Sequence, residues 1–339
     1  MHKEIYSELR QDMVSGDWIL FAPGRLRGKL DFSFEKNEKR TVTPKNRCPF
    51  ETPFEHVNKE ILFAHEDPKR VKGWGNFRLL ILENKFPAVR RPNGEIVEAK
   101  HGPFRVVPGI GHHDLLITRD HSKNFPRLSP DGAREVFQAF AERYRMVAAG
   151  KEIAYVAIFH NWGPKAGATV YHPHYQILSI PVIPPDVGHS LAGSARYFHK
   201  HRHCVHCEMI RWERQKKENI IIETDRAVAF APFVSRNSFE VRVFPKRHTP
   251  YFEETSDADR NGVADVLQKI LQKVTRNMND PDYNFFIHTA PVREKNRYKH
   301  YHWHVEVYPK FNTRAGFEFG TGIDMDIVDP ALAAKILRK

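Results

Sequence analysis

The sequence predicts an α+β fold in which one unit, mainly antiparallel strands with a packed helix, is built twice to give two sheets. Three observations carry that expectation. Apolar residues at 133, 136, 137, 140, 141 and 144 form a helical ladder, and the same ladder recurs 130 positions later at 263, 266, 267, 270, 271 and 274. Paired histidines, His172 and His174, precede an apolar strand-like run and are answered by His302 and His304, again 130 positions on. A short motif lies upstream in each half, Cys48-Pro-Phe-Glu51 in the first and Cys204-Val-His-Cys207 in the second. One match of this kind is chance, whereas matches in common register indicate a duplicated unit.

Taken along the chain, the first β-rich run, Leu-Leu-Ile-Thr-Arg-Asp-His121, ends in a histidine, as does its counterpart Val-Arg-Val-Phe-Pro-Lys-Arg-His248. Ser129-Pro130-Asp131 is a helix start, with a capping hydroxyl and proline in the first turn, and the helix should end near Gly150. Thr255 to Asp257 gives the second helix its cap. On the strand that follows the first helix, period-two alternation puts His172, His174 and Gln176 on one face, and Pro173, which cannot donate to a ladder, marks where the strand begins. Proline, glycine and serine interrupt the pattern around residues 185 to 200, so the repeats are placed at 1–190 and 191–339.

Composition limits the function classes. With 339 residues the chain can bury a core without a covalent staple, and 41% hydrophobic with 28% charged residues is the balance of a globular protein. The first residues have no apolar signal core, and no run approaches the roughly 18 apolar residues of a membrane span, so a soluble cytoplasmic protein is expected. Three cysteines in a chain this long are a poor disulfide framework and favour metal ligation. The net charge of +12 favours phosphorylated partners. Its basic residues are spread along the chain, which fits a basic cleft for a small phosphorylated substrate better than a nucleic-acid footprint.

The segment Asn161-Trp-Gly163-Pro-Lys-Ala-Gly167-Ala-Thr169-Val-Tyr-His172-Pro-His174-Tyr-Gln176 concentrates the chemistry. Its glycines let a backbone loop approach a ligand and offer N–H groups to phosphate oxygens, and the loop runs directly into the strand bearing the histidine pair. The string resembles the active-site signature of the galactose-1-phosphate uridylyltransferases, the transferase branch of the histidine-triad superfamily, at every fixed position. Further similar segments are Leu9 to Arg25 at the start of the chain, Asn84-Lys-Phe-Pro-Ala88, and Arg314 to Gly322. The family's second arginine after Arg25 is replaced here by Gly28, with Arg27 and Lys29 beside it.

The resemblance implies a duplicated histidine-triad fold with the nucleophile in the N-terminal repeat, a C-terminal repeat that has lost it, and a homodimer. It implies transfer of UMP from UDP-glucose to a hexose 1-phosphate through a uridylyl-His174 intermediate, with Gln176 hydrogen-bonding the migrating phosphate where the hydrolytic branch has a histidine. Arg25, Asn84, Asn161, Gly167 and Thr169 are the expected nucleotide and phosphate contacts, and Glu318 the sugar contact.

Cys204, Cys207, His248 and His302 offer two thiolates and two imidazoles, a set suited to structural zinc, with Cys48, Glu51, His121 and His172 in the equivalent slots. In the family's pattern the first site also has Cys-x-x-Cys, so Glu51 substitutes a carboxylate for a thiolate. His288 and His304 are read as core histidines or as ligands of a further metal; His112, His113, His201, His203 and His206 are read as structural or solvent-facing. The rival readings are an ADP-sugar phosphorylase that adenylylates the same histidine, a nucleic-acid-binding or repair protein of the superfamily, and a structural zinc protein.

Overall fold

The computed structural model describes residues 7–26, 40–52, 61–63, 77–91 and 99–339. Arg27, Gly28 and Lys29 lie outside the described residues. The first repeat supplies strands β1 (Glu8–Gln11), β2 (Trp18–Phe21), β3 (Ile61–Phe63), β4 (Leu79–Glu83), β5 (Ala99–His101), β6 (Phe104–Val106), β7 (His113–Thr118), helix α1 (Pro130–Ala148), β8 (Tyr155–Trp162) and β9 (His174–Ile180). Helices α2 (Pro185–His201) and α3 (Val205–Lys216) follow. The second repeat continues with β10 (Ile220–Glu223), β11 (Ala227–Phe230), β12 (Val241–Pro245), α4 (Asp257–Asn277), β13 (Tyr283–His288), β14 (His304–Pro309), α5 (Gly316–Thr321), β15 (Asp324–Asp326) and α6 (Pro330–Arg338).

The two expected antiparallel sheets meet edge to edge. Their strands run β10-β11-β12-β14-β13 and then β8-β9-β7-β4-β3, five from each repeat, as one ten-stranded sheet. The seam is the antiparallel pair β13 and β8, in which Phe286 faces Phe159. Equivalent edges of two copies of one unit pair with each other there, which removes two exposed sheet edges at once. Both helical ladders are buried as the sequence requires, and α1 and α4 pack together over one face of this sheet. Their starts are capped by side chains: Ser129 Oγ accepts from Gly132 N at 3.1 Å and Ser256 Oγ from Asp259 N at 3.2 Å. With one face covered by helices, the other is left for the site.

The break expected near residues 185 to 200 is instead helix α2. Pro184 and Pro185 start a helix here because the first turn needs no N–H donor. The small residues serve packing rather than flexibility: Gly193 lies against the Val14 carbonyl, where a Cβ would not fit. The ends of the repeats interlock in a side sheet, in which β2 pairs antiparallel with β1 and parallel with β15. Among the described residues no helix is long and apolar enough to cross a membrane.

Candidate active site and metal centres

His174 opens β9 on the face away from the helices. Its Nδ1 lies 3.0 Å from the carbonyl of His172, so Nδ1–H donates and Nε2 keeps its lone pair. Burial holds its pKa below the ordinary histidine value, opposed only by that carbonyl bond, and the imidazole is neutral at neutral pH. His160 Nδ1–H donates to the His174 carbonyl at 2.7 Å and fastens the backbone at this point from the neighbouring strand. Phe50 packs against both histidines of the pair, its ring centroid 5.4 Å from that of His174 and 5.7 Å from that of His172.

Gln176, two residues on, is half-buried on the open face. A row of cross-strand partners runs through it: Leu115, Gln176, Phe159, Phe286, Glu306 and Arg242. The row reads symmetrically about the β8–β13 seam, so Glu306 is the counterpart of Gln176. His113, at the start of β7, places Nε2 at 2.9 Å from Gln176 Oε1 and 3.2 Å from Asn84 Nδ2. Asn84 and Gln176 are therefore brought together through a histidine that the sequence reads as structural or solvent-facing. A signal for it existed: His113 shares strand parity with Leu115, which pairs with Gln176 and so lies on its face.

The glycine loop follows β8. Gly163 has φ of +85° and Gly167 +88°, conformations that glycine adopts without strain. At Gly163 a Cβ would also overlap the Asp282 carboxylate. That carboxylate accepts from Lys165 N at 2.7 Å and from Arg40 Nε at 3.0 Å, so it holds the loop from the second repeat. Asn284 donates to Asn161 Oδ1 and to the Ala166 carbonyl, both at 2.8 Å. With its oxygen so engaged, Asn161 turns its amide nitrogen toward the loop beside Gly167. Thr169 is exposed and lines a cavity of about 280 Å³ together with Arg40 and Gly163. Asp282 and Asn284 carried no sequence signal, because neither belongs to the repeated motif.

Two clusters have the chemistry of metal centres. Cys48, His121 and His172 converge, and Glu51 Oε1 approaches His121 Nδ1 at 2.9 Å and His172 Nδ1 at 3.6 Å. The far nitrogens are engaged with carbonyls: His121 Nε2 with Thr43 at 2.7 Å and His172 Nε2 with Thr118 at 2.6 Å. Both imidazoles are thereby fixed with Nδ1 lone pairs facing Cys48 and Glu51, the outer-shell arrangement of metal-ligating histidines. Cys204, Cys207, His248 and His302 form the second cluster, with Cys207 Sγ at 3.3 and 3.5 Å from the two Nδ1 atoms and His248 Nε2 at 2.9 Å from the Lys299 carbonyl. Of the eight expected ligands, Cys204, Cys207, His248 and His302 converge as four and Cys48, His121 and His172 as three, with Glu51 beside the two histidines of the latter. Among the described residues the buried Glu51 Oε1 and His121 Nδ1 have no hydrogen-bond partner, and they lie 2.9 Å apart, which suits a cation held by both.

Arg25 and Glu318 fall elsewhere, together on the side sheet. Arg25 is exposed in the turn after β2, and Glu318 is buried in α5, where its Oε2 accepts from Ala315 N at 2.9 Å. That backbone bond, before the neighbouring Arg314 and Arg25, lowers the carboxyl pKa. Among the described residues no hydrogen bond or ion pair joins either side chain to His174. In the second repeat His304 keeps the setting of His174, with Nδ1 3.1 Å from the His302 carbonyl, but its Nε2 lies 3.2 Å from Glu306 Oε1. A cavity of about 560 Å³ lies over these residues, which also include His206 and His288. The second repeat thus keeps the imidazole of the pair, as its sequence shows, and differs from the first in the carboxylate beside it.

Comparison with known proteins agrees with this architecture. The model described as "Galactose-1-phosphate uridyl transferase, N-terminal domain" matches residues 1–184, and one described as a domain of unknown function, DUF4921, matches residues 110–339. ADP-glucose phosphorylase of Arabidopsis thaliana is 31% identical over 335 residues, covering 98% of this chain and 92% of that protein. Galactose-1-phosphate uridylyltransferase of Thermotoga maritima is 25% identical and covers 98% of each. The crystal structure of the Arabidopsis thaliana ADP-glucose phosphorylase with bound ADP-glucose superposes with a TM-score of 0.81 at 28% identity, over 99% of both chains. The motif, the duplicated fold and these matches together place the chain in the galactose-1-phosphate uridylyltransferase family, as an enzyme of its transferase and phosphorylase type.

Proposed function

We propose that the protein is a nucleotidyltransferase that carries a nucleoside monophosphate on His174 Nε2 and works by double displacement. The observation that carries this reading is the neutral His174, whose Nδ1–H is committed to the His172 carbonyl at 3.0 Å, which leaves the Nε2 lone pair free on the strand face that also carries Gln176. In the first half-reaction Nε2 attacks the α-phosphorus of a nucleoside-diphosphate sugar. A P–N bond forms, the P–O bond to the sugar phosphate breaks, and the sugar 1-phosphate leaves with the electron pair. The charge gained by the ring is shared with the His172 carbonyl through Nδ1–H. In the second half-reaction a phosphate oxygen of the acceptor attacks phosphorus and the P–N pair returns to His174. Gln176, Asn84, Asn161 and the backbone around Gly167 supply donors to the nonbridging oxygens, with Thr169 as a further contact, while Arg25, which neighbours Glu318, would reach the ligand with it from a second subunit.

Between donors, greater similarity to ADP-glucose phosphorylase, 31% against 25%, favours ADP-glucose with inorganic phosphate as acceptor. UDP-glucose with a hexose 1-phosphate is the second reading, favoured by the family model over residues 1–184. Zinc is the proposed ion at both clusters: Cys48, Glu51, His121 and His172 would hold one and Cys204, Cys207, His248 and His302 the other, and four protein ligands would leave no place for an activated water. It supplies rigidity: the Cys48 to Glu51 turn carries Phe50 against His174. Glu318 is proposed to contact the sugar across a homodimer, which sedimentation velocity tests.

Intact-protein mass spectrometry after incubation with ADP-glucose or UDP-glucose, handled at neutral pH, tests the mechanism. One added nucleoside monophosphate that His174→Ala abolishes is the expected result, and the nucleotide that labels identifies the donor. Absence of label from folded protein with both sugars overturns the reading.

A further inference from the structure

We propose that His113 is a positioning residue that sets the orientation of the Gln176 amide, so that its NH2 group and not its oxygen faces the migrating phosphate; this rests on the reading of His174 as the nucleophile. A glutamine amide has two faces that differ little in shape but are opposite in polarity. Turned one way it donates to phosphate oxygens, and turned the other it presents an oxygen to them and repels. Nothing in the Gln176 side chain itself makes that choice.

The surroundings of His113 make it. Ala88 N–H donates to His113 Nδ1 at 3.0 Å, so Nδ1 carries no proton and the neutral ring bears its hydrogen on Nε2. Nε2–H then donates to Gln176 Oε1 at 2.9 Å, and the oxygen is turned away, leaving both Nε2 hydrogens of Gln176 for a ligand. Asn84 is arranged likewise: its Oδ1 accepts from Phe86 N at 3.0 Å, and its amide nitrogen lies 3.2 Å from the same imidazole nitrogen. A protonated Nε2 cannot accept from it, so those hydrogens too remain for a ligand.

The ring itself is held firmly. Asn84 N donates to the His113 carbonyl at 2.9 Å, and His112 is bound to Ser179 through two contacts of 2.8 Å, one to its hydroxyl and one from its N–H. Gly111 packs on the Ser179 carbonyl where a Cβ would not fit. One imidazole therefore converts a backbone N–H on the nucleoside side into a fixed polarity beside the histidine that reacts.

The test compares His113→Phe, Gln176→Ala, the double variant and His113→Gln, each checked for folding by its melting curve and for metal content. Removing the His113 donor is expected to slow single-turnover labelling of His174 about tenfold, the weight of one hydrogen bond, with the KM for the nucleotide sugar changed less than about twofold. In the Gln176→Ala background the same change should slow labelling by no more than about twofold, because there is no amide left to orient. His113→Gln, which restores a donor, should recover most of the rate. Rate losses that multiply in the double variant would overturn the proposal.

A second readout needs no catalysis. The side-chain amide resonance pair of Gln176, identified by its absence from Gln176→Ala, is expected to shift in ligand-free His113→Phe. An unmoved pair would also overturn the proposal. If the wild-type protein takes no label, the reading of His174 fails, while the resonance shift still decides whether His113 holds Gln176. Should His113→Phe not fold, His113→Asn, too short to reach Gln176, replaces it in both measurements.

Discussion

His160 offers a quantitative test of how the strand bearing His174 is held. It is fully buried, and burial pushes its pKa from 6.5 down to about 3, with the bond to the His174 carbonyl only partly opposing. A histidine lowered in this way is neutral in the fold and takes a proton more readily in the unfolded chain. Its contribution is present above the unfolded value and is lost as pH falls from there toward the folded one. Between about pH 7 and about pH 5 the unfolded histidine gains most of a proton and the folded one gains almost none. The loss is then set by the unfolded value alone and comes to about 2 kcal/mol, at 1.36 kcal/mol per unit.

The assay is urea unfolding of wild type and His160→Phe across that window. Removing the imidazole leaves the His174 carbonyl without its donor, so the variant should start about 1–3 kcal/mol less stable. The two stabilities should then converge on acidification, with wild type losing about 2 kcal/mol more than the variant. Other buried histidines and the metal ligands titrate in both proteins and cancel in the difference. Equal losses would refute the reasoning, since they would mean that His160 is protonated in the fold or that the fold does not hold it neutral.

Three further outcomes follow from the site. Glu51→Ala should remove about one metal equivalent by elemental analysis and slow His174 labelling about tenfold, because the turn carrying Phe50 loosens. Cys207→Ala should remove the other equivalent and leave labelling within about threefold, so equal slowing by both would show that neither metal acts through Phe50. Gly163→Ala, which meets both a φ of +85° and the Asp282 carboxylate, should cost about 1–3 kcal/mol and slow labelling about a hundredfold, read from melting and single-turnover mass spectrometry.

What the sequence made legible was what repeats or alternates. The two helices, the histidine pairs and both four-residue clusters announce themselves because each occurs twice in register, and the buried ladders of α1 and α4 lie where their period places them. Long-range pairings had no such signal. Nothing local marks Asp282 as the clamp on Gly163, or the β8 and β13 edges as the seam that turns two sheets into one. Residues 185 to 201 showed no helix in the sequence because proline, glycine and serine interrupt their period, whereas Gly193 is small to let α2 close on Val14. His113 was passed over because a histidine was judged by its type and not by the parity of its strand.

Duplication ordinarily yields two sites, and the row across the sheet shows why this protein should take only one label. Gln176 and Glu306 occupy equivalent places, and each stands two residues after a histidine whose Nδ1 is tied to a backbone carbonyl. The amide at 176 is neutral and can donate to a phosphate. At 306 burial opposes the carboxylate charge, but Arg242 at 3.2 Å, together with His288 and His304, outweighs it and holds the pKa well below the ordinary range. Tyr308 Oη–H donates to its other oxygen at 2.8 Å. An ionised carboxylate, an acceptor with no hydrogen to donate, therefore stands against His304 Nε2 at 3.2 Å where Gln176 presents an amide, so this place offers a phosphate oxygen no donor. Labelling with the accepted nucleotide sugar should saturate at one equivalent per chain and vanish in His174→Ala. A nucleotide found on His304 in that variant would refute the argument that the Gln176-to-Glu306 exchange, rather than any difference in the imidazole, silences the second repeat.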